Sequence, residues 1–208
     1  MLLIFDLDGT LFQAKPVVLR ADLRLLREMN IPAPDENTLL KNAGKGLDAL
    51  LYSILSDGAD IASVRTRYLE LVCEEILDIG ELFPGVHETI TQLHSDGHRL
   101  VICSNSPEEY IKTVLEHTGI AGLFTSYRSA ESYPSKAELI RKLVRELITP
   151  GDSAIVIGDT HGDIEAAHEN GIPAIAVTYG YGNKSMLAAA EYFADTPADI
   201  LRCIPRKA

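Results

Sequence analysis

Four short apolar runs constrain the fold of this chain more than any other feature. They are rich in Ile and Val, and they occupy residues 2–5, 100–103, 154–157 and 174–177. Apolar runs of this length without polar alternation are typical of strands that are buried on both faces. We therefore expect four strands in the interior of a sheet.

Segments with helical spacing separate these strands. Two of them carry apolar residues three or four positions apart and end at a glycine: Val86, Ile90 and Leu93 before Gly97, and Ile111, Val114 and Leu115 before Gly119. Alternating strands and helices predict an α/β fold with a doubly wound parallel sheet.

Residues 15–82 interrupt this alternation. Their apolar residues follow helical spacing in three groups without a convincing strand: Leu19, Leu23 and Leu26; Leu47, Leu50, Leu51 and Ile54; and Ile61, Val64, Tyr68 and Val72. We expect a helical insertion at 15–82 and an α/β core made of residues 1–14 and 83–208. The segment Phe83-Pro84-Gly85 is a natural return hinge.

Charge and cysteine content narrow the classes of partner. The chain of 208 residues has 30 acidic and 19 basic side chains, a formal charge of -11. This charge repels nucleic acids and anionic membranes, so we expect neither as a partner. Asp6 and Asp8 interrupt the first apolar run, which argues against a signal peptide. Three cysteines without C-x-x-C spacing suit a cytoplasmic protein.

The first strand ends in the segment Asp6-Leu7-Asp8-Gly9-Thr10. Open parallel sheets bind ligands at the carboxyl ends of their strands, so both carboxylates are expected to face that crevice. An Asx turn at the end of a strand explains one Asp but not two.

The later strands also end in polar groups. Ser104 and Asn105 follow the second run, and the segment 106–109 that comes next has the pattern of a capping box. A second capping box, Ser135 with Glu138, places Lys136 in the first turn of a helix. A lysine beside unpaired backbone N–H groups indicates an anion site.

Two more carboxylates, Asp159 and Asp163, occur where the 154–157 strand meets a helix. Carboxylate oxygens beside phosphate oxygens are the ligands that Mg²⁺ prefers. His161, between them, is expected to fill the loop rather than bind metal, since Mg²⁺ prefers oxygen.

Together these segments resemble the four ordered motifs of the haloacid dehalogenase superfamily, and the resemblance spans the whole chain. The insertion at 15–82 resembles the superfamily's cap of the first type. Gly44-Lys45-Gly46 lies where phosphoglycolate phosphatase and beta-phosphoglucomutase relatives carry a substrate-contacting loop. The segment 177–182, with Tyr179 and Tyr181, is closer to the phosphoglycolate phosphatase branch, although packing of the loop is our interpretation of these two rings.

The resemblance implies a role for each motif residue. Asp6 would attack phosphorus to give an aspartyl phosphate, and Asp8 would be the general acid and then the base. Ser104, the Asn105 amide and Lys136 would hold the phosphoryl oxygens.

The resemblance also implies a magnesium site and a substrate site. Mg²⁺ would take the side chains of Asp6 and Asp159 and the carbonyl oxygen of Asp8, with Asp163 contacting the metal or its water. We assign substrate contacts to Thr10, Gly44, Lys45 and Asn105.

Two departures from the family pattern stand out. Many relatives follow the first motif with an acidic residue and Ser, where this chain has Phe12-Gln13-Ala14. Many relatives also place the third-motif Lys before Pro, whereas Lys136 precedes Ala137 in a helix that also contains Lys142. The first departure bears on the substrate and the second on the choice of lysine.

We therefore expect a cytoplasmic, Mg²⁺-dependent phosphatase of a small phosphorylated metabolite, resembling phosphoglycolate phosphatase, as a monomer or homodimer. A phosphomutase would keep every motif present here. A metal-free 2-haloacid dehalogenase has no need of Asp8, and a non-enzymatic binding protein would have lost a nucleophile or a metal ligand. All three remain alternatives.

Overall fold

The computed structural model describes residues 1–33 and 61–204. Its centre is a six-stranded parallel sheet with the order β3-β2-β1-β4-β5-β6. The strands are β1 Leu2–Phe5, β2 Arg99–Ser104, β3 Ser126–Ser129, β4 Ala154–Gly158, β5 Ala174–Val177 and β6 Tyr192–Ala194. The expected α/β fold with a parallel sheet is confirmed.

Helices of the described residues cover both faces of this sheet. They are α1 Ala14–Glu28, α2 Ile61–Ile79, α3 Val86–Ser95, α4 Glu108–His117, α5 Lys136–Leu147, α6 His161–His168 and α7 Pro197–Cys203. The two helices predicted before Gly97 and Gly119 are confirmed as α3 and α4. Short 3₁₀ turns occur at 121–123, 130–132 and 184–186.

The four predicted strands are the four in the interior of the sheet. In β1, Leu3 and Phe5 face one apolar cluster, to which α3, α4 and α7 contribute, while Leu2 and Ile4 face a second one with α5 and α6. Burial on both faces explains why these runs contain no polar alternation. The two edge strands, β3 and β6, are partly exposed and carry polar or aromatic residues, so they have no such signal.

Helix α2 and all of α1 except its first residue, Ala14, fall within the predicted insertion, and the two helices pack against each other. Arg24 of α1 donates to the buried carboxylate of Glu75 in α2 over 2.6 Å, and ion pairs of this kind continue along the two helices. The predicted helix around 47–54 lies outside the described residues. Gly85, at the predicted return hinge, has a φ of 89° just before α3, a conformation that favours glycine.

Within residues 1–33 and 61–204, every helix falls short of the length or the apolar character that crossing a bilayer requires. The cysteines Cys73, Cys103 and Cys203 are free thiols.

Asp22 of α1 is a fully buried carboxyl group, and it predicts a pH dependence of stability. Tyr68 of α2 donates to its Oδ1 over 2.7 Å, and its Oδ2 accepts no hydrogen bond from the described part of the chain. Burial raises the pKa of Asp22 to about 7, against the opposing effect of the Tyr68 hydrogen bond. The folded protein therefore holds a proton that the unfolded chain, with a pKa of about 3.9, releases.

The preference of the folded protein for this proton stabilises it fully below pH 4, and the stabilisation is lost as the pH rises through 7. We expect Asp22→Asn to be more stable than the wild type at pH 8, by up to about 4 kcal/mol, and to differ far less at pH 5. Urea denaturation at both pH values measures this, with the exposed carboxylate variant Asp96→Asn as a control. An equal difference between wild type and Asp22→Asn at the two pH values would contradict the prediction.

Candidate active site

Three carboxylates meet at the carboxyl edge of the sheet, beyond the ends of two neighbouring strands. Asp6 follows β1, Asp159 follows β4, and Asp163 lies in the first turn of α6. All three are buried, and one oxygen from each lies within 4.8 Å of the others. We call Asp6, Asp159 and Asp163 the carboxylate triad.

Lys136 lies against this carboxylate triad. Its Nζ donates to Asp6 Oδ1 over 2.6 Å and to Asp163 Oδ1 over 2.5 Å. As expected, Lys136 begins its helix, and the Ser135 hydroxyl oxygen accepts from the backbone N–H of Glu138 over 3.2 Å. The other half of the predicted box is not formed, because the Glu138 carboxylate pairs with Arg141 instead.

Asp163 is held by the start of its own helix. Its Oδ2 accepts from the backbone N–H of Thr160 over 3.0 Å and from the Thr160 hydroxyl over 2.7 Å. The Thr160 hydroxyl oxygen in turn faces the Asp163 N–H, which completes a capping box. Because Oδ2 is engaged in this way, Oδ1 is directed at Lys136.

Asp159 is held by a loop that the sequence did not mark as part of the site. Its Oδ2 accepts from the backbone N–H groups of Tyr181 over 2.7 Å and Gly182 over 3.2 Å. Thr10, predicted as a substrate contact, is fully buried, with its hydroxyl 3.4 Å from Asp159 Oδ1. A Cβ at Gly182 would lie 1.7 Å from the Asp159 carbonyl oxygen, so only glycine permits this approach.

The same loop packs its two tyrosine rings on the core, as we expected. Tyr179 packs on Phe83 with ring centroids 5.1 Å apart, and its hydroxyl donates to the Thr10 carbonyl over 2.8 Å. The Tyr181 ring lies under the Lys15 ammonium at 4.3 Å. These contacts hold the loop that presents its amides to Asp159.

Burial has the largest single effect on the pKa values of Asp6, Asp159 and Lys136. Burial raises the pKa of Asp6 well above its usual range; the Lys136 ammonium opposes this shift, and Asp163 and Asp159 add to it. Burial and the Asp163 charge raise the pKa of Asp159 to about 6. Burial works against the Lys136 ammonium, yet Asp163 and Asp6 outweigh it and raise the pKa of Lys136.

Asp8 has different neighbours from Asp6, although only Leu7 separates them. The Ser106 hydroxyl donates to Asp8 Oδ2 over 2.6 Å, and the Tyr110 hydroxyl donates to Oδ1 over 2.7 Å. Burial raises the pKa of Asp8, and these two hydrogen bonds oppose that shift.

The capping box predicted at 106–109 is wrong. Helix α4 has Pro107 as its N-cap and no side-chain cap, because the Ser106 hydroxyl is used by Asp8. In the sequence, Ser106 stood out only as the first residue of the predicted capping box, while Tyr110 had no signal beyond its place in an amphipathic helix.

The other residues that the sequence analysis singled out are Ser104 and Asn105, which were predicted in the site, His161, which was not, and the predicted substrate contacts Gly44 and Lys45. Ser104 is buried at the end of β2, and its Oγ accepts from the Ser106 N–H over 3.1 Å; Asn105 follows it and is half-buried. The prediction that His161 fills the loop is wrong, because His161 is the first residue of α6; its half-buried ring faces the Met186 carbonyl and Glu165, at 3.1 Å and 3.0 Å. Gly44 and Lys45 lie outside the described residues.

Comparisons with known proteins find relatives over most of the chain. The family model of haloacid dehalogenase-like hydrolases matches residues 3–177. The phosphoglycolate phosphatase of Vibrio vulnificus (strain CMCP6) is 30% identical over 215 residues, which cover 96% of this chain and 94% of that protein. The phosphoglycolate phosphatase of Vibrio parahaemolyticus is 27% identical over 217 residues, with 98% and 95% covered.

Solved structures extend this likeness to the whole fold. The crystal structure of a predicted phosphoglycolate phosphatase from Haemophilus somnus superimposes with a TM-score of 0.85 at 27% identity, covering 97% of this chain and 96% of that one. A haloacid dehalogenase-like hydrolase from Streptococcus pneumoniae gives 0.83 at 27% identity, with the same coverage. The resemblance seen in the motifs is confirmed, and the chain belongs to the haloacid dehalogenase-like hydrolase family.

Proposed function

We propose that this protein is a Mg²⁺-dependent phosphatase of a small phosphorylated metabolite, acting through a phosphorylated Asp6. One observation carries the proposal. Two carboxylates at the end of a single strand have opposite surroundings: Asp6 faces an ammonium and two further carboxylates, whereas Asp8 faces two hydroxyl groups. Carboxylates held in different environments can take different roles in one reaction.

Asp6 is the nucleophile in this proposal. Its oxygen forms a bond to phosphorus while the bond to the ester oxygen breaks, which leaves a phosphoryl group on Asp6 and releases the alcohol. Lys136, 2.6 Å from Asp6, holds the carboxylate in place and offsets negative charge on the phosphoryl oxygens. The Ser104 hydroxyl accepts from the Ser106 N–H, so its own proton is free for a phosphoryl oxygen.

Asp8 handles the protons in both half-reactions. It gives a proton to the departing alkoxide and then removes one from the water that attacks the phosphorylated Asp6. This second step restores both carboxyl groups and releases inorganic phosphate. Burial raises the pKa of Asp8, which favours the protonated form needed for the first step.

The carboxylate triad fits a divalent cation. Within the described residues, three buried carboxylates are opposed by the one ammonium that binds them, that of Lys136, so oxygen ligands and negative charge are both in excess there. This donor set suits Mg²⁺, and the side chains of Asp6, Asp159 and Asp163 with the carbonyl oxygen of Asp8 would hold it. When bound, Mg²⁺ neutralises charge on the phosphoryl oxygens and aligns them with the nucleophile.

A phosphoglycolate-like substrate is supported by the names of the relatives. We propose that residues 15–82 form a cap over the site and that Gly44 and Lys45 contact the part of the substrate away from phosphorus. Thr10 positions Asp159 in the described contacts, and its contact with a substrate stays a prediction. A cytoplasmic monomer or homodimer also stays a prediction.

A screen of phosphate esters tests this function. We expect phosphate release from one or a few small esters, with phosphoglycolate tested beside hexose phosphates, nucleotides and pyrophosphate. The release should require Mg²⁺ and stop in EDTA, because EDTA would remove the cation that offsets the negative charge of the carboxylate triad.

The screen also separates the alternatives. Conversion of one sugar phosphate to another without phosphate release would indicate a mutase. Chloride release from 2-chloropropionate in EDTA would indicate a dehalogenase. Absence of any turnover with Mg²⁺ present would contradict the enzymatic proposal.

A further inference from the structure

Two hydroxyl groups donate hydrogen bonds to Asp8, and the proposed phosphatase reaction assigns neither of them a role. Ser106 lies two residues beyond β2, and Tyr110 lies in the first turn of α4. Their hydroxyls donate to different oxygens of Asp8, over 2.6 Å and 2.7 Å. Each carboxylate oxygen therefore accepts one short hydrogen bond, and the rotation of the carboxyl group is fixed from two sides.

Both donors are themselves held in place. Tyr110 is 4% exposed, and its ring packs edge to face with that of the fully buried Phe12 at a centroid distance of 6.3 Å. The backbone N–H of Ser106 donates to Ser104 Oγ. One short segment thus orients both the hydroxyl that we expect on the phosphoryl group and the carboxyl group of Asp8.

The ammonium of Lys136 competes with the two hydroxyls for the carboxylate of Asp8. Lys136, already between Asp6 and Asp163, attracts any carboxylate near it, and Asp8 is only two residues from Asp6. A carboxylate free to turn toward Lys136 would no longer face the leaving group. The two hydroxyls instead occupy both of its oxygens with hydrogen bonds.

We propose that Ser106 and Tyr110 are positioning residues that keep the carboxyl group of Asp8 directed at the ester oxygen of the leaving group, away from Lys136 and the carboxylate triad. This inference rests on the proposed function, in which Asp8 protonates that oxygen. It predicts that removing either hydroxyl harms substrates in proportion to their need for a proton.

The test compares Ser106→Ala and Tyr110→Phe on two substrates. One is the alkyl phosphate that the wild type hydrolyses fastest in the screen, and the other is p-nitrophenyl phosphate, whose leaving group departs without a proton. The readout is kcat/KM, which reports the first half-reaction up to release of the alcohol and leaves out the water attack that both substrates share. On the alkyl ester we expect kcat/KM to fall by about ten- to thirtyfold, as for loss of a hydrogen bond to a charged group. On p-nitrophenyl phosphate, kcat/KM should change by less than about threefold.

Three further variants make the test specific. Ser106→Thr keeps the hydroxyl and should recover most of the loss. Tyr68→Phe removes a matched tyrosine–carboxylate bond of 2.7 Å, to Asp22 rather than Asp8, and should leave the ratio of the two rates unchanged. Adding Tyr110→Phe to Asp8→Asn should cost less than about twofold, because residues that act through one group are not additive.

Equal losses of kcat/KM on both substrates, or a full additional loss in the Asp8→Asn background, would overturn the positioning role. Failure of the proposed function gives a different result. In that case the wild type releases no phosphate, or Asp8→Asn itself shows no preference between the two leaving groups.

Discussion

Asp6→Asn is expected to reduce kcat/KM by at least about a thousandfold, because the amide has nearly the shape of the carboxyl group but is a poor nucleophile. The fold should survive. Asp6 is one of three crowded carboxylates, and Lys136 keeps Asp163 as a partner at 2.5 Å when the charge of Asp6 is removed. Phosphate release and thermal unfolding measure the two effects separately.

Asp96→Asn is the matched control for this variant. Asp96 is exposed at the C-terminal end of α3, and its substitution should change neither activity nor melting temperature. The mass of each intact protein shows whether an asparagine has reverted to aspartate by deamidation. More than about one hundredth of wild-type activity in an unreverted sample of Asp6→Asn would mean that another group attacks phosphorus.

Lys136→Met is expected to lose both catalytic activity and folding stability. Removing one partner of a buried ion pair leaves uncompensated charge and costs about 3–5 kcal/mol of unfolding free energy. Both Asp6 and Asp163 lose their ammonium partner here. We also expect kcat to fall by about a hundred- to a thousandfold, as when one electrostatic donor to a transition state is removed.

The instability of Lys136→Met should depend on pH in a defined direction. Without the ammonium, which opposes the rise in the pKa of Asp6, that carboxyl group binds a proton more readily in the folded state. A raised folded-state pKa gives stability that is present at low pH and lost as the pH rises. The deficit relative to wild type, measured by urea denaturation without Mg²⁺, should therefore be larger at pH 8 than at pH 5.

Lys142→Met serves as the control within the same helix. Lys142 is 48% exposed, and its ammonium contacts Tyr133 and Glu146 rather than the carboxylate triad. It should retain full activity and nearly full stability. If Lys142→Met lost activity and Lys136→Met kept it, the third-motif lysine would be Lys142 and the assignment to Lys136 would be wrong.

The main residues of the site could be predicted from the sequence because their patterns are local. Asp6, Asp8, Asp159, Asp163 and Lys136 follow strand ends or begin helices, so local pattern together with the geometry of a parallel sheet was enough to bring them to one edge. The capped start of α5 identified Lys136 even without the proline that relatives carry after it. Edge strands β3 and β6 could not be predicted in this way, because their partial exposure removes the apolar run that marks an interior strand.

The α/β architecture, the four interior strands and the family motifs could all be predicted from the amino-acid sequence, because burial on both faces and helix capping leave local patterns. The partners of the carboxylates were decided by tertiary structure alone. Ser106 and Tyr110 are 98 and 102 residues from Asp8, and the Tyr181 amide is 22 residues from Asp159. A hydroxyl or a backbone N–H has many acceptors within reach, and only the packing of distant segments selects the one that it binds.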